Sequence, residues 1–535
     1  MGELQQSSNS TYSFFFKNLS VTGFYEENAL FMTVKELFDN SIDAVCSKKG
    51  NEKKEKRIEI LIKEYNKNSS LYEIMCRDNG EGAEIKDLEK FSEMFLTSKE
   101  NCRTTGKFGI GLKTILLYSF KTAYGFLHIK VKVEKKKIWD FMLVIDKDLN
   151  HTFVQNFKEY VDENWNWSTE ISVILKIHST YIYDKRIYFY IKLALLWKKD
   201  IHVKCYYDDH EELVYSPEEH LQDHENALLN EVVENSTNIF FRKNHLSSYN
   251  FHLNIYVNVR KSDKIIANVH NSNVGLVFLI RYVNSMPLFS NSTQDCSITK
   301  DFKNFLKHYG LQFGMDPFTV ENLDEACLED FSTMESFNDL KNIAHMFYVK
   351  KSEKSTWNII ILGIDVRGSD ISFANLSKTC IKEGEYLSNL IKKCLTNLFY
   401  GIKMEYPQEF ESFGDYQLRQ ALDIYGVQLA SSLSKIILQG REEFKNKVFF
   451  LLNEKKKEYS DKPEMEKVSN FRDLNENSLT AELYHHIKEK ILCNEKGSES
   501  INVKGYSSGR SNVSEYEDDA REDSDSGGAD GTDVK

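Results

Sequence analysis

Proline is scarce in this chain: five residues in 535. With so few breaks, the folded part should be rich in helices and strands. The nine cysteines include no CxxC pair and no Cys/His cluster at zinc spacing. That argues against a zinc-finger or disulfide-scaffold class and fits the reduced thiols of an intracellular protein. No apolar run is long enough to span a bilayer, so no membrane partner is expected. The opening MGELQQSSNSTYSFFF has neither a basic leader nor a long apolar core, so it does not read as a secretory signal. Gly2 and Ser7 miss the myristoylation spacing. Positive charge is also short, with a net of −12. Residues 515–535 hold nine acidic and two basic side chains, a net of −7, which leaves −5 for the rest. Local basic runs survive at Lys48–Arg57, Lys130–Lys137 and Lys455–Lys457, so the overall sign does not exclude DNA. A chain 41% hydrophobic and 28% charged is ordinary for a soluble protein of more than one domain.

Three pieces between residues 29 and 119 carry the chemistry. The first, ALFMTVKELFDNSIDAV, places Leu30, Val34, Leu37, Phe38 and Ile42 at helical spacing. Glu36, Asp39, Asn40 and Asp43 then share one face of the helix. Three carboxylates and an amide on one face call for compensation, and a hydrated divalent cation, which takes oxygen ligands, would supply it. The second piece is an apolar strand, Tyr72–Cys76, leading into Arg77-Asp78-Asn79-Gly80-Glu81-Gly82. A carboxylate at a strand end before two glycines is placed to accept a hydrogen bond from the amino group of a base edge. The third piece sets Gly106, Gly109 and Gly111 ahead of a helical run, Leu112–Phe120. Glycines there let backbone N–H groups approach phosphate oxygens, and the helix N-terminus favours negative charge. Lys99, Lys107 and Lys113 add full charges. Each piece has an ordinary explanation by itself: an acidic face is usually solvated, a DNG segment is usually a turn, and this loop is not the P-loop pattern.

All three in this order and spacing resemble the Bergerat (GHKL) ATP-binding fold of gyrase B subunits, ninety-kilodalton heat-shock chaperones, histidine kinases and mismatch-repair ATPases. Four longer stretches are similar, more narrowly, to the B subunit of topoisomerase VI. They are SFFFKNLSVTGFYEENALFMTVKELFDNSIDA, TGKFGIGLKTILLYS, residues 278–311 and residues 375–396. The last resembles that family's switch loop, with Lys378 at the switch-lysine position. The resemblance covers about 1–205 and 250–400. It departs from the archaeal subunit in one respect: residues 208–250 read as too short for the inserted helix-two-turn-helix domain. That departure suggests a eukaryotic, nuclear relative, one working with a meiotic double-strand-break nuclease.

The expected fold is α+β. Residues 1–207 should form the GHKL ATPase layer, helices on a mixed sheet. Residues 208–250 read as a connecting region, and 251–493 as a transducer domain similar to ribosomal protein S5, with a long C-terminal helix over Gln408–Leu452 that carries heptad-like Leu418, Leu422, Tyr425, Leu429 and Leu433. Residues 494–535 read as a disordered acidic tail. The first sheet should include Arg57–Tyr65, Leu71–Cys76, Gly125–Val133, Ile138–Asp146, Thr169–Ile177 and His202–Tyr207. A short helix is expected over Ile85–Phe95 and a mobile lid over 97–106.

The resemblance implies roles residue by residue. Glu36 would be the general base toward the water attacking the γ-phosphate of ATP. Asn40 would ligate Mg²⁺. Asp78 would accept the adenine amino hydrogen, and Gly82 would let the chain pass close to the ring. Ser98 and Lys99 would contact phosphate from the lid. Gly106, Lys107, Phe108, Gly109, Ile110, Gly111, Leu112 and Lys113 would wrap the triphosphate. Lys378 would reach the γ-phosphate from the second domain. Asp39 is either support near the metal or part of the exposed face. No tyrosine has a sequence argument for cleaving DNA; in the resembled family the nucleophile sits on the A subunit. The implied protein is therefore an ATP-hydrolysing B subunit that dimerises on ATP, two A and two B chains forming a heterotetramer on double-stranded DNA. The alternative is a B-like scaffold that activates a meiotic nuclease with little turnover. A chaperone or chromatin-remodelling ATPase is a third possibility, against which residues 278–311 argue.

Overall fold

Two sheets, each with helices packed on it, organise the computed structural model of the chain. The structure describes residues 10–47, 55–66, 69–84, 95, 109–133, 137–146, 148, 151–178, 184–208, 210–217, 225, 228–230, 236–248, 250–262, 273–288, 296–318, 343–352, 355–369, 371–382, 384–458 and 475–500. The lid at 97–106, nearly all of the helix expected over Ile85–Phe95, and the tail beyond 500 lie outside them.

The first sheet has strands β1 (Lys56–Asn66), β2 (Leu71–Asp78), β3 (Phe126–Val133), β4 (Lys137–Ile145), β5 (Thr152–Val161), β6 (Thr169–Lys176), β7 (Ile201–Tyr207) and β8 (His210–Tyr215). Their spatial order is 5-4-3-6-2-1-7-8, with β1 and β7 parallel and the other neighbours antiparallel. The sheet is therefore mixed, as expected. Alternation in β2 buries Tyr72, Ile74, Cys76 and Asp78 on one face. Helices α2 (Ala29–Val45) and α3 (Gly111–Thr122) supply its cover, with α4 (Lys185–Leu195) packed against α2 and the short α1 (Thr11–Lys17) against α3. Strand β5 was not anticipated. Most of its residues are exposed, because an edge strand has a partner on one side only and this one shows no apolar alternation to read.

The second sheet contains β9 (Thr237–Ser247), β10 (His252–Lys261), β11 (Val274–Val283), β12 (Met286–Pro287), β13 (Met315–Phe318), β14 (Ala344–Lys351) and β15 (Ile359–Arg367). Its order is 13-14-11-15-10-9, with β12 paired to β11 and β15 parallel to β11. Helices α5 (Ser297–Tyr309) and α6 (Glu385–Glu405) pack together, and α6 lies on β9 and β10. Tyr256, Leu276, Phe278, Ile280 and Tyr282 of this sheet join the same apolar core as α2 and the first sheet. Each fully buried Ile or Leu there contributes about 1.5–3 kcal/mol. The stretch read as a connection, 208–250, carries β8 and β9, one strand of each sheet. Both are edge strands, with weak apolar alternation.

The chain divides into two compact units, Met1–Tyr416 and Gln417–Lys535. The helix expected over Gln408–Leu452 is two helices, α7 (Phe413–Gln439) and α8 (Glu442–Glu458), interrupted at Gly440. A final helix, α9, spans Glu476–Ser500, so residues 494–500, expected to open the disordered tail, are helical. Within the second unit the expected heptad row faces inward only in part: Leu422 is buried and Leu418 and Leu433 are half-buried, but Tyr425 and Leu429 are exposed. The buried face of α7 is Leu422, Gly426, Ala430, Ser434 and Ile437. Close approach decides this, since a Cβ on Gly426 would lie 2.8 Å from the Tyr484 ring of α9.

Candidate active site

Helix α2 is buried on nearly all sides, charged residues included. Lys35, Glu36 and Asp39 are 4%, 8% and 3% exposed, whereas Asn40 and Asp43 are half-buried. This overturns the alternative that Asp39 belongs to an exposed face. Lysines supply compensation in this buried cluster. Lys35 Nζ lies 3.3 Å from Glu36 Oε1 and 2.8 Å from Asp39 Oδ2. Lys378 Nζ lies 3.5 Å from Glu36 Oε2. Burial alone would push the Glu36 carboxyl up, but the charges of Lys378 and Lys35 outweigh it and hold the group at about 2. Burial likewise opposes charge on Lys35, yet Asp39 and Glu36 raise its pKa.

Lys378 reaches the cluster from a clasped turn. Its own backbone is left-handed, with φ of 54°, a conformation that side-chain-bearing residues seldom adopt. Asn375 holds it there: its Oδ1 accepts from Thr379 N at 2.9 Å, its carbonyl from Lys378 N at 3.2 Å, and its Nδ2 donates to Thr379 Oγ1 at 2.6 Å. Phe373 and Ile381 bridge the base of the turn.

Asp78 ends β2 on the helix-covered face. Its Oδ2 accepts from Ser41 Oγ of α2 at 3.1 Å and its Oδ1 from Gly80 N at 2.9 Å. Asn79 serves the backbone instead. Its side chain bonds Arg57 N and Glu55 O, tying the turn to the start of β1. Gly82 has φ of 77°, and a Cβ there would meet the Lys132 carbonyl at 2.3 Å. Gly111 opens α3 directly against the acid; a Cβ on it would lie 2.3 Å from Glu36 Oε2. Ile110, the N-cap residue of α3, has no side-chain acceptor to offer the first N–H groups of the helix. Lys113, one turn on, is 3% exposed, and burial pushes its ammonium down to about 8.

The structure thus brings together Glu36, Gly111 and Lys378, with Asn40 on the same helix as Glu36. Gly109, Ile110, Leu112 and Lys113 lie around the N-terminus of α3, and Asp78 at the end of β2. Ser98, Lys99, Gly106, Lys107 and Phe108 lie outside the described residues. Two members of the buried cluster were not singled out from the sequence: Lys35 and Tyr190, whose hydroxyl donates to Asp39 Oδ1 at 2.6 Å. Lys35 carried a signal, four residues before Asp39 on one helix. Tyr190, an ordinary aromatic in α4, carried none.

These donors suit a nucleotide with its cation. Gly111 leaves backbone, not side chain, beside the acid. Among the described residues no three His, Cys, Asp or Glu side chains gather as a metal site. A Mg²⁺ arriving with phosphate needs no such cage, since it keeps water and phosphate oxygens and takes one or two protein ligands.

Residues 28–142 match the family model of histidine kinase-, DNA gyrase B-, and HSP90-like ATPases. The match and the arrangement of helices on a mixed sheet give this part of the chain the fold of that class. More particularly, the chain is similar to the B subunit of type 2 DNA topoisomerase 6. It is 31% identical to that of Saccharolobus solfataricus over 193 residues, covering 35% of each chain. With that of Pyrobaculum aerophilum it shares 27% over 167 residues, 30% of this chain and 31% of the relative. The chain thus spans about a third of the length of these relatives. The ATPase region of Saccharomyces cerevisiae topoisomerase II bound to ICRF-187 (dexrazoxane) aligns at a TM-score of 0.34 and 11% identity, covering 69% of this chain and 85% of that one. That likeness is too loose to fix any feature of this chain. Among the described residues no helix is long and apolar enough to cross a membrane.

Proposed function

We propose that this chain is an ATP-binding and ATP-hydrolysing B-type topoisomerase subunit. One observation carries the reading: Lys378, 342 residues away in sequence, meets Glu36 inside one buried site. A bare nucleotide pocket needs no such contact. A machine that couples nucleotide state to a second sheet does.

Glu36 is the general base. Its carboxylate takes a proton from the water that attacks the γ-phosphorus, as the bond to the oxygen bridging to the β-phosphate breaks. ADP and inorganic phosphate leave, and the proton passes to solvent. Asn40 holds the Mg²⁺ that accompanies ATP, which offsets phosphate charge. Asp78 accepts from the adenine amino group, with Ser41 and Gly80 N fixing its two oxygens. Gly82 gives the chain room at the ring. The backbone from Gly109 to Leu112 and the ammonium of Lys113 take the phosphates, joined from the preceding loop by Ser98, Lys99, Gly106, Lys107 and Phe108. Lys378 exchanges Glu36 for the γ-phosphate.

The transducer assignment of 251–493, ATP-driven pairing of two such chains, and an A-type partner that cuts double-stranded DNA belong to the same proposal, as does a nuclear location. The second reading, a scaffold with little turnover, has one observation in its favour. Lys378 Nζ stands 3.5 Å from Glu36 Oε2, the oxygen that would take the proton from water, and its charge holds that carboxyl down. Steady-state ATP hydrolysis with and without duplex DNA separates the two. Turnover that DNA stimulates and Glu36→Ala abolishes supports the first; its absence alongside retained ATP binding and capture of a nuclease-type partner supports the second.

A further inference from the structure

The general base assigned above has two carboxylate oxygens in different surroundings. Oε2 faces Lys378 at 3.5 Å and the backbone of Gly111. Oε1 faces inward and takes Lys35 Nζ at 3.3 Å. Lysine is a poor anchor by itself, because its ammonium rides on a flexible four-carbon stem. Here it is anchored. Asp39 Oδ2 holds the same ammonium at 2.8 Å, and Asp39 Oδ1 accepts from Tyr190 Oη at 2.6 Å. The tyrosine is the rigid end of this chain. It is 2% exposed, and its ring stands edge-on to Phe31 and Phe38, with centroids 5.7 and 6.4 Å away. Lys35 Nζ also lies 5.7 Å from the ring centroid.

We propose that Tyr190, acting through Asp39 and Lys35, is a positioning residue for Glu36. The hydrogen-bonded chain from helix α4 pins Oε1 and so reserves Oε2 for the attacking water once Lys378 turns to phosphate. This rests on the reading of Glu36 as the base. It goes beyond that reading by giving a role to α4, which contributes none of the nucleotide-binding segments. Misplacing a reacting group by an ångström costs about a hundredfold in rate, so a tether of this kind has measurable value. It makes no claim on the nucleotide itself, so binding should be spared.

The test is Tyr190→Phe in the full chain, which removes one hydroxyl and keeps the ring contacts. The expected result is a kcat lower by about tenfold to a hundredfold, with affinity for a non-hydrolysable ATP analogue within about twofold of wild type. Lys35→Met should show the same split, and Lys35→Arg should restore part of the rate. A wild-type kcat in Tyr190→Phe, or equal losses in kcat and analogue affinity, overturns the proposal and leaves the cluster as charge neutralisation alone. A double-mutant cycle on melting, Tyr190→Phe against Glu36→Gln, gives a readout independent of turnover: non-additive shifts support the link and additive ones overturn it. A wild-type chain with no turnover sensitive to Glu36→Ala instead removes the base itself, a failure distinguishable because it appears before Tyr190 is touched.

Discussion

Lys378 Nζ lies 3.5 Å from Glu36 Oε2, both side chains buried. On the proposed function one lysine therefore has two prospective partners, the Glu36 carboxylate and the γ-phosphate, and cannot serve both fully. A charge-assisted hydrogen bond is worth about 1.5–3 kcal/mol. Moving it from Glu36 to phosphate shifts a two-state balance by the difference between the two contacts, about tenfold for each 1.4 kcal/mol, and ADP lacks the second contact. Lys378→Ala is expected to bind ADP as wild type does, to lose most hydrolysis, and to lose the compaction that a non-hydrolysable ATP analogue induces. Small-angle scattering with and without the analogue checks this; equal compaction in the variant sends the search for coupling elsewhere in 370–385.

The same pair has a signature in acid. Glu36 is held at about 2, below its ordinary 4.5. A carboxylate with a depressed folded-state pKa gives stability that is present above 4.5 and lost as pH falls through about 2. Lys378→Ala removes one of the two lysine charges that hold the Glu36 carboxyl down. The variant should be less stable than wild type above 4.5 and should lose less as pH falls below it, so the two stability profiles converge in acid, and melts taken at intervals across acid pH will show it.

Glu36→Ala and Asp78→Asn should fail differently. The first removes the base and should cut turnover by about 10²–10⁴-fold while ATP still binds. The second keeps an oxygen for Gly80 N but turns a donor toward Ser41 and the adenine amino group. It should weaken ATP binding by about tenfold or more. Titration calorimetry and single-turnover hydrolysis on both variants separate the roles; wild-type turnover in Glu36→Ala would mean the base has been misassigned.

Gly111→Ala tests the close approach at α3. The added Cβ lies 2.3 Å from Glu36 Oε2, so the acid or the loop must shift. Turnover should fall at least about tenfold, with little change in melting temperature, since the apolar core beneath is untouched. Unaltered kinetics would show that the loop and Glu36 stand apart in the working state.

Lys113 predicts a pH dependence of binding. Burial lowers its ammonium from 10.5 to about 8. Phosphate prefers the charged form, so ATP affinity should fall as pH rises through about 8, and Lys113→Met should flatten that fall. Between 8 and 10.5 the unfolded chain binds more protons at this site, so this lysine makes wild-type stability rise with pH there. Nucleotide titrations and melts over that range read both effects.

The sequence by itself determined the nucleotide-facing elements. The helical period of ALFMTVKELFDNSIDAV, the strand ending at Asp78 and the glycines before Leu112 are local patterns, and local backbone preference is enough to form them. It also placed Glu36 and Asn40 on one helix face, because their spacing fixes it, whereas the approach of Gly111 to Glu36 is tertiary. The edge strands β5, β8 and β9 were not legible, since exposed edges carry weak apolar alternation. The heptad row of α7 gives Leu422 of the buried face but not Gly426 and Ala430, because close packing against Tyr484 favours small residues over Tyr425 and Leu429 there. Asp39 could be read as solvated or supporting until the fold buried it under Tyr190, and nothing in the spacing of 39 and 190 announces that bond. The meeting of Lys378 with Glu36 is likewise a product of tertiary structure. The resemblance named the lysine, but only the packing of a second sheet onto the first core, and a left-handed turn clasped by Asn375, bring its ammonium to that carboxylate.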